Sequence, residues 1–518
     1  MEESNKKKGL NKGVIIAIIA AIVVIGGVVA AVTLTNTSPK QSYFLAEKKT
    51  LDHLKSTLEE RYQPELDWTE QTYEKPVEQS MDLSAQYLGP TGTSGYEEVD
   101  PAQIINNSSL SATVKTDMKN KQMVTELAGN FAGLEIDGIE VYMTDEKMML
   151  GVPFLDNYLQ IKDEDFGPLL KEVDPMTFTG EESLELDTLF NGLHSDEDLE
   201  YLKSEYGELI YNELPDDAFT TSDETIEVNG ESLKTEKIVL HLSEKQVQDL
   251  LSTVFEKMET DDRLKELIKK QLTSVQMGEV AVDQELNQIL TDFEEAMAEA
   301  KEDVYDIHIK DGLKSTIWVH NKLITKRDVK VEIGSNENDL VAFTINGIQS
   351  FDDSTQTFDY DLGFADKVSD GKMNISGDLS WKDNQANDSI KLTVDNYVFS
   401  YEGTETLEDG TRDFERVFSY HDSMVNGSLT WDGSASYDKD KMNGEHKITL
   451  ETSETGNLIT LNLALDGQLI DAIETPAENN VKDLGTMSME ELSQYMETEV
   501  IPDFQNWLYE TMGGADGF

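Results

Sequence analysis

The residues that could do chemistry are few and widely spaced. Seven histidines stand at His53, His194, His241, His308, His320, His421 and His446. No two have the H-x-H or H-E-x-x-H spacing that sets a pair of imidazoles on one face of a strand or helix to hold zinc. His308, His320, His421 and His446 each lie in an alternating, strand-like stretch, where a solvent-facing or rim position is expected. The chain has no cysteine, which removes disulfides, thiolate nucleophiles, thiolate metal sites and lipid-modified cysteine together. No G-x-S-x-G elbow, S-x-x-K set, Walker loop or G-x-G-x-x-G is present. The glycine-rich GPTGTSG of Gly89 to Gly95 lacks the lysine and the strand-to-helix context of a phosphate loop. DKDKMNGE, Asp438 to Glu445, imitates a calcium loop, but its glycine falls one position late and Met442 replaces an oxygen ligand. Carboxylate pairs carry no signal among 103 acidic residues. The sequence therefore assigns no catalytic residue, no metal ligand and no cofactor site, and leaves enzymatic activity without a motif.

Charge excludes more than the motifs do. With 42 Lys plus Arg against 103 Asp plus Glu, the formal net charge is −61. A phosphate-binding patch would sit inside a strongly repulsive field, so nucleic acid is excluded as a partner. A hydrophobic fraction of 38%, with 18 Phe, 18 Tyr and 5 Trp, is ample for folded cores.

The elements that would position any site begin with Val14 to Leu34, an apolar run without a charge and long enough to cross a bilayer as a helix. Lys6, Lys7, Lys8 and Lys12 precede it, so the positive-inside rule places residues 1–13 in the cytoplasm and the bulk outside the cell membrane, as in a single-pass protein. A cleaved signal peptide is the alternative, but the run is longer than a signal core and no A-x-A motif ends it.

Beyond the expected span, residues 35–76 read as a juxtamembrane helix or stalk, with Phe44, Leu51, Leu54 and Leu58 at helical spacing. Residues 77–240 mix strands with short helices, and Asn229-Gly230 marks a hairpin. Residues 241–304 form a helical block opened by a Ser243/Gln246 capping box. From 305 to 470 the period switches to two, giving an antiparallel meander of roughly eight to ten strands, with turns expected at Asp311-Gly312, Asp370-Gly371 and Asp409-Gly410. Leu379, Trp381, Leu429 and Trp431 fall on its inward parity, and GDLSW (Gly377 to Trp381) is echoed by GSLTW (Gly427 to Trp431). Residues 471–518 return to helix after a Ser488/Glu491 capping box. The fold class is α+β: one transmembrane helix, then exported antiparallel curved sheets with a helical block between them.

The basic leader and span, the VYMTDEKMMLGVPFLDNYLQIKDEDF stretch, the block from IVLHLSEKQVQDLL to DDRLKELIKKQL and the closing MSMEELSQYMETEVIPDFQNW together resemble an uncharacterised family of membrane-anchored extracytoplasmic proteins of Bacillus-type Gram-positive bacteria. More loosely, the strand, turn and Pro-loop pattern of Val141 to Ile161 is similar to envelope carriers of the LolA/LppX type. That likeness implies a curved sheet cradling lipid against helices. With an exported location and no catalytic motif, the first expectation is a non-enzymatic envelope protein binding an apolar or amphipathic ligand, such as a lipid or an exported protein segment, on its sheet. The expected partners are thus the membrane, through Val14 to Leu34, and such a ligand. Two other functions remain open: a module bridging membrane and cell wall, and a hydrolase whose site converges only in three dimensions.

Overall fold

The computed structural model describes residues 38–89, 101–184, 186–191, 196–275, 283–352, 354–453 and 456–513. Val14 to Leu34 lies outside them, as do His194 and most of the GPTGTSG stretch.

Among the described residues the strands form a single 20-stranded sheet. Its first six strands are β1 (Val77–Tyr87), β2 (Ser109–Asp117), β3 (Gln122–Phe131), β4 (Leu134–Thr144), β5 (Lys147–Gly151) and β6 (Tyr158–Lys162). The hairpin β7 (Phe219–Val228) and β8 (Glu231–Leu242) turns at Asn229-Gly230, as the sequence requires. An eleven-strand meander follows: β9 (His308–His320), β10 (Leu323–Gly334), β11 (Leu340–Phe351), β12 (Thr355–Ala365), β13 (Asp370–Lys382), β14 (Gln385–Val394), β15 (Tyr397–Glu408), β16 (Thr411–His421), β17 (Asn426–Tyr437), β18 (Lys441–Thr452) and β19 (Gly456–Leu469). A short β20 (Val481–Asp483) pairs in parallel with β6.

The expected division into separate sheets with helices between them is corrected by the pairings. β8 pairs with β9 from Glu236↔Val319 to Leu242↔Leu313, straight across the intervening helices. β1 pairs with β19 from Val77↔Leu469 to Tyr87↔Ile459, so β1 to β6 extend the far edge of the meander. The chain thus builds both flanks of one sheet from its first half. Each of these strands shows the same two-residue alternation, and nothing local states which edge it will join.

The meander's turns follow the expected chemistry in part. Asp409-Gly410 closes β15 onto β16, with both residues at positive φ. Asp370-Gly371 instead begins β13. Asp311-Gly312 is no turn: it is a bulge within β9, at φ 58° and 72°, opposite a register shift between Val331 and Glu332. A Cβ on Gly312 would collide with the Leu242 carbonyl oxygen, so backbone conformation and close approach both demand glycine. Gly312→Ala is expected to cost about 1–3 kcal/mol in urea denaturation; a loss within ~0.5 kcal/mol would show that the bulge relaxes freely.

Five longer helices matter to the site: α1 (Pro39–Arg61), α2 (Gln63–Glu74), α3 (Glu244–Thr260), α4 (Asp262–Val275) and α5 (Asp283–Asp303). α3 starts on the Ser243/Gln246 capping box and presents Val247, Leu250, Leu251, Val254 and Phe255 to β8, β9 and β10. With Tyr43, Phe44, Ile309, Ile317, Ile324 and Ile333 they make the main core, where Leu251 and Phe255 are 0% exposed. The C-terminal helices dock on the β5–β6 loop through Phe154, Phe504 and Trp507.

Candidate functional site

Antiparallel pairing puts directly opposed residues on one face, so the register assigns every side chain to a side of the sheet. One face carries Ile375, Leu379 and Trp381, then Ile390, Tyr401, Phe418 and Leu429, as the inward parity of the sequence requires. The other is mostly polar from β13 to β19, and carries apolar clusters at the two flanks of the sheet, Ile226, Val228 and Trp318 at one and Val124, Tyr142, Met149 and Ile473 at the other. The helices lie on the apolar face, and α1 with α2 crosses it from β9 to β19.

The first anchor of this crossing is apolar. Ser38 caps α1 by accepting from the Gln41 N–H, and Pro39 presets the first turn. Tyr43 and Phe44 then sink beside Phe219 and Tyr211, edge to face. Tyr43 Oη and Ser315 Oγ share a hydrogen bond of 2.7 Å, and Arg327 grips Glu47 with two bonds of 2.7 and 2.6 Å. Burial works against the Arg327 charge, but Glu47 more than compensates and holds it above its ordinary value. Thr50 Oγ1 accepts from the Ile324 N–H at 2.9 Å.

Beyond Thr50 the helix leaves the core. Lys55, Ser56, Thr57, Leu58, Glu59 and Glu60 are all exposed, more than a full turn with no packed side. A helix exposed on all sides between two contacts is a bridge through solvent.

The second anchor is ionic. α1 ends at Tyr62, Pro64 starts α2, and this elbow brings down Arg61, Glu65 and Trp68. Arg61 donates to Asp388 at 2.7 Å and to Glu405. Arg412 bonds Glu65 at 2.6 Å and Glu405 at 3.1 Å, and also donates to the Arg61 carbonyl. Arg416 reaches the other Glu405 oxygen at 3.3 Å. Trp381 forms the aromatic floor under Arg61 and Arg412, and Trp431 lies under Arg416, so the two echoed W positions serve the same purpose. Three guanidiniums face three carboxylates. Burial would push the Glu405 carboxyl up, but the Arg61 and Arg412 interactions win and hold it below the usual carboxylate range. Beside them His446 is pushed down by burial and by Arg416, which keeps it neutral and able to accept from the Trp431 Nε1–H at 3.3 Å. Trp68 closes the anchor over Gly467, where a Cβ would meet the indole at 2.8 Å.

Next to this anchor the apolar face is bare. A recess of about 380 Å³ is lined by Ile390, Leu392, Phe399, Tyr401, Phe418 and Leu429, among others. Phe399 is 44% and Phe418 43% exposed, large values for phenylalanines in mid-sheet.

The histidines do not converge. His53 packs edge-on against Phe351, His241 meets the Asp311 carbonyl, His308 meets Glu244, His320 the Lys234 carbonyl and His421 Asn426. Among the described residues no group of three or more His, Asp and Glu is placed to hold a metal. The sequence reading missed Arg61, Asp388, Glu405, Arg412 and Arg416. A signal was present: Asp388, Glu405, Arg412 and Arg416 are charges at positions whose parity is apolar on the same strands.

No protein-family model and no curated relative matches the chain. Solved structures that match include OccK3 (OpdO) of Pseudomonas aeruginosa, at 5% identity and TM-score 0.25, covering 76% of this chain and 94% of that one. A BenF-like porin of Pseudomonas fluorescens Pf-5 matches at 8% identity and TM-score 0.24 (76% and 98% covered), and OccAB2 of Acinetobacter baumannii at 6% and 0.24 (76% and 97%). Scores this low carry no argument about fold or activity beyond the shared abundance of strands.

Neither expected resemblance, to Bacillus-type anchored proteins or to LolA/LppX-type carriers, is met by any family model or curated relative, and both are withdrawn. The carrier function that the second resemblance implied goes with it. Within the 241–304 block α3 packs against β8 to β10 and α5 packs on α3, while the N-terminal helix pair occupies the apolar face farther along. The expected single-pass span, Val14 to Leu34, lies outside the described residues; among those described, no helix is long and apolar enough to cross a membrane. That says nothing about crossing by strands. A strand-built crossing needs an apolar face turned to lipid, and the apolar face here carries α1 with exposed Lys55, Glu59 and Glu60.

Proposed function

We propose that the chain is a binding protein that takes extended cationic partners on the polar face of its sheet. The observation supporting this is the make-up of that face from β13 through β19 to β1 and β2. Its positions are mostly Ser, Thr, Asn, Gln and acidic residues, with Asp82, Asp378, Glu402, Asp413, Glu415 and Asp432 among the carboxylates, interrupted by Lys115, Lys372, Lys382, Lys391, Lys441 and Lys447 and by Val398 and Val417. Ordinary one-sided sheets alternate in this way; here the wet face also holds grooves. One of about 770 Å³ runs by Asn387, Thr404, Asp413 and Asp432, and one of about 520 Å³ by Asp82, Ser111, Glu445 and Asn462. Adjoining grooves across parallel rows of strands suit an extended chain better than a compact ion. A net charge of −61 lowers the free energy of any cation near the surface and steers its approach, an effect that salt weakens.

The test is calorimetric titration of the full chain with a lysine decapeptide. Affinity is expected to fall about tenfold or more between low and moderate salt, as for other charge-steered association. Reversing Asp413, Glu415 and Asp432 to lysine should weaken binding more than three reversals on α5. Equal binding by the two triple variants, or by an uncharged peptide of the same length, would overturn the proposal.

A further inference from the structure

We infer that α1–α2 is a releasable strap, fixed at one end in the core and held at the other by a charge latch whose opening extends the bare apolar trough of the sheet. The two anchors differ in kind. Tyr43 and Phe44, 2% and 1% exposed, belong to the main core and cannot leave without unfolding it. Arg61 and Glu65 are held on β13 to β16 by ion pairs and cation–π stacks, Trp68 lies over Gly467 of β19, and α2 also touches β17 and β2. Between the anchors, residues 55–60 make no buried contact that would tie the two ends into one cooperative unit.

The floor under the latch continues into the bare recess. Going along β16, Phe418 lines the recess, Arg416 and Phe414 sit at the latch, and all share one face with Arg412. On β17 Leu429 lines the recess while Trp431 lies under Arg416. Lifting the elbow would therefore join Trp381, Phe414 and Trp431 to Phe399, Tyr401 and Phe418 as one aromatic trough. The groups facing the latch are Arg61, Tyr62 and Glu65 from the helices, Asp388, Tyr401 and Glu405 from β14 and β15, and Arg412, Arg416, Tyr437 and His446 from β16 to β18. Because the latch balances three positive against three negative groups, losing one member leaves an uncompensated charge, which favours the open form.

Hydrogen exchange of the full chain, followed by mass spectrometry, tests this. In the wild type, amides of residues 62–74 should exchange at least tenfold faster than those of 43–50. In Glu65→Gln, a change at the partly exposed rim of the latch, the 62–74 amides should gain a further several-fold while 43–50 stay unchanged. Wild-type exchange in raised salt provides a second measurement that needs no variant and should move the same segment in the same direction. The inference is overturned if both segments exchange at one rate and respond together, since α1–α2 would then be an integral part of the core. It is equally overturned if 62–74 is unmoved by both Glu65→Gln and salt.

Discussion

Glu405→Ala should destabilise the protein by about 3–5 kcal/mol, the usual cost of removing one partner from a buried ion pair. The Glu405 side chain is 2% exposed and accepts from Arg61, Arg412 and Arg416. Its loss leaves three guanidiniums against Asp388 and Glu65, in a site where Arg412 is also 2% exposed. The urea midpoint, followed by the fluorescence of the tryptophans around the latch, measures this. Glu405→Gln keeps the shape and one acceptor and should fall between wild type and alanine. A change below ~1 kcal/mol for Glu405→Ala would mean that the network is well solvated and contributes no more than a surface pair. Acid should act through the same group. The folded-state Glu405 carboxyl titrates below its unfolded value, so its contribution is present above the ordinary carboxylate range and is lost as pH falls through the lowered value. His446, also depressed, adds to the same trend, because the unfolded imidazole takes up a proton before the folded one.

Phe255→Ala carries the other large effect, about 3–5 kcal/mol, from lost burial plus the cavity left behind. Phe255 is 0% exposed in the cluster that joins α3 to β8, β9 and β10 and to the first anchor of α1. Leu58→Ala, on the exposed bridge of α1, supplies the contrast: at 58% exposure it should change stability by less than ~0.5 kcal/mol. If Leu58→Ala cost as much as a core truncation, the bridge would be packed against something and the two-anchor description would fail. Phe255→Ala with a small effect would mean that the helical block covers the sheet loosely.

The sequence by itself determined the local elements and the two faces. Ser243 with Gln246 and Ser488 with Glu491 cap their helices as their spacing requires, because a capping box is completed within one turn. Asn229-Gly230 closes its hairpin for the same local reason, both residues taking positive φ. Period-two alternation placed Leu379, Trp381, Leu429 and Trp431 on one face, since strand side chains must alternate whatever the neighbour. Asp311-Gly312 shows the limit of local reading: the same dipeptide suits a hairpin turn and a bulge, and only the nearby Leu242 carbonyl makes it a bulge.

What only the tertiary structure decided is which distant pieces meet. The pairing of Val77 with Leu469 and the reach of Arg61 to Asp388 and Glu405 join segments hundreds of residues apart. Loop-closure entropy rises only with the logarithm of that separation, so many alternative edges are nearly equal in cost. The choice falls to the summed packing and pairing of the whole sheet. Arg412 and Arg416 make the same point in charge. On β16 they break an apolar parity, and read locally they are defects; set against Glu65, Glu405 and the two tryptophans they become the latch. A buried charge is defined by its partner, and the partner lies elsewhere in the chain.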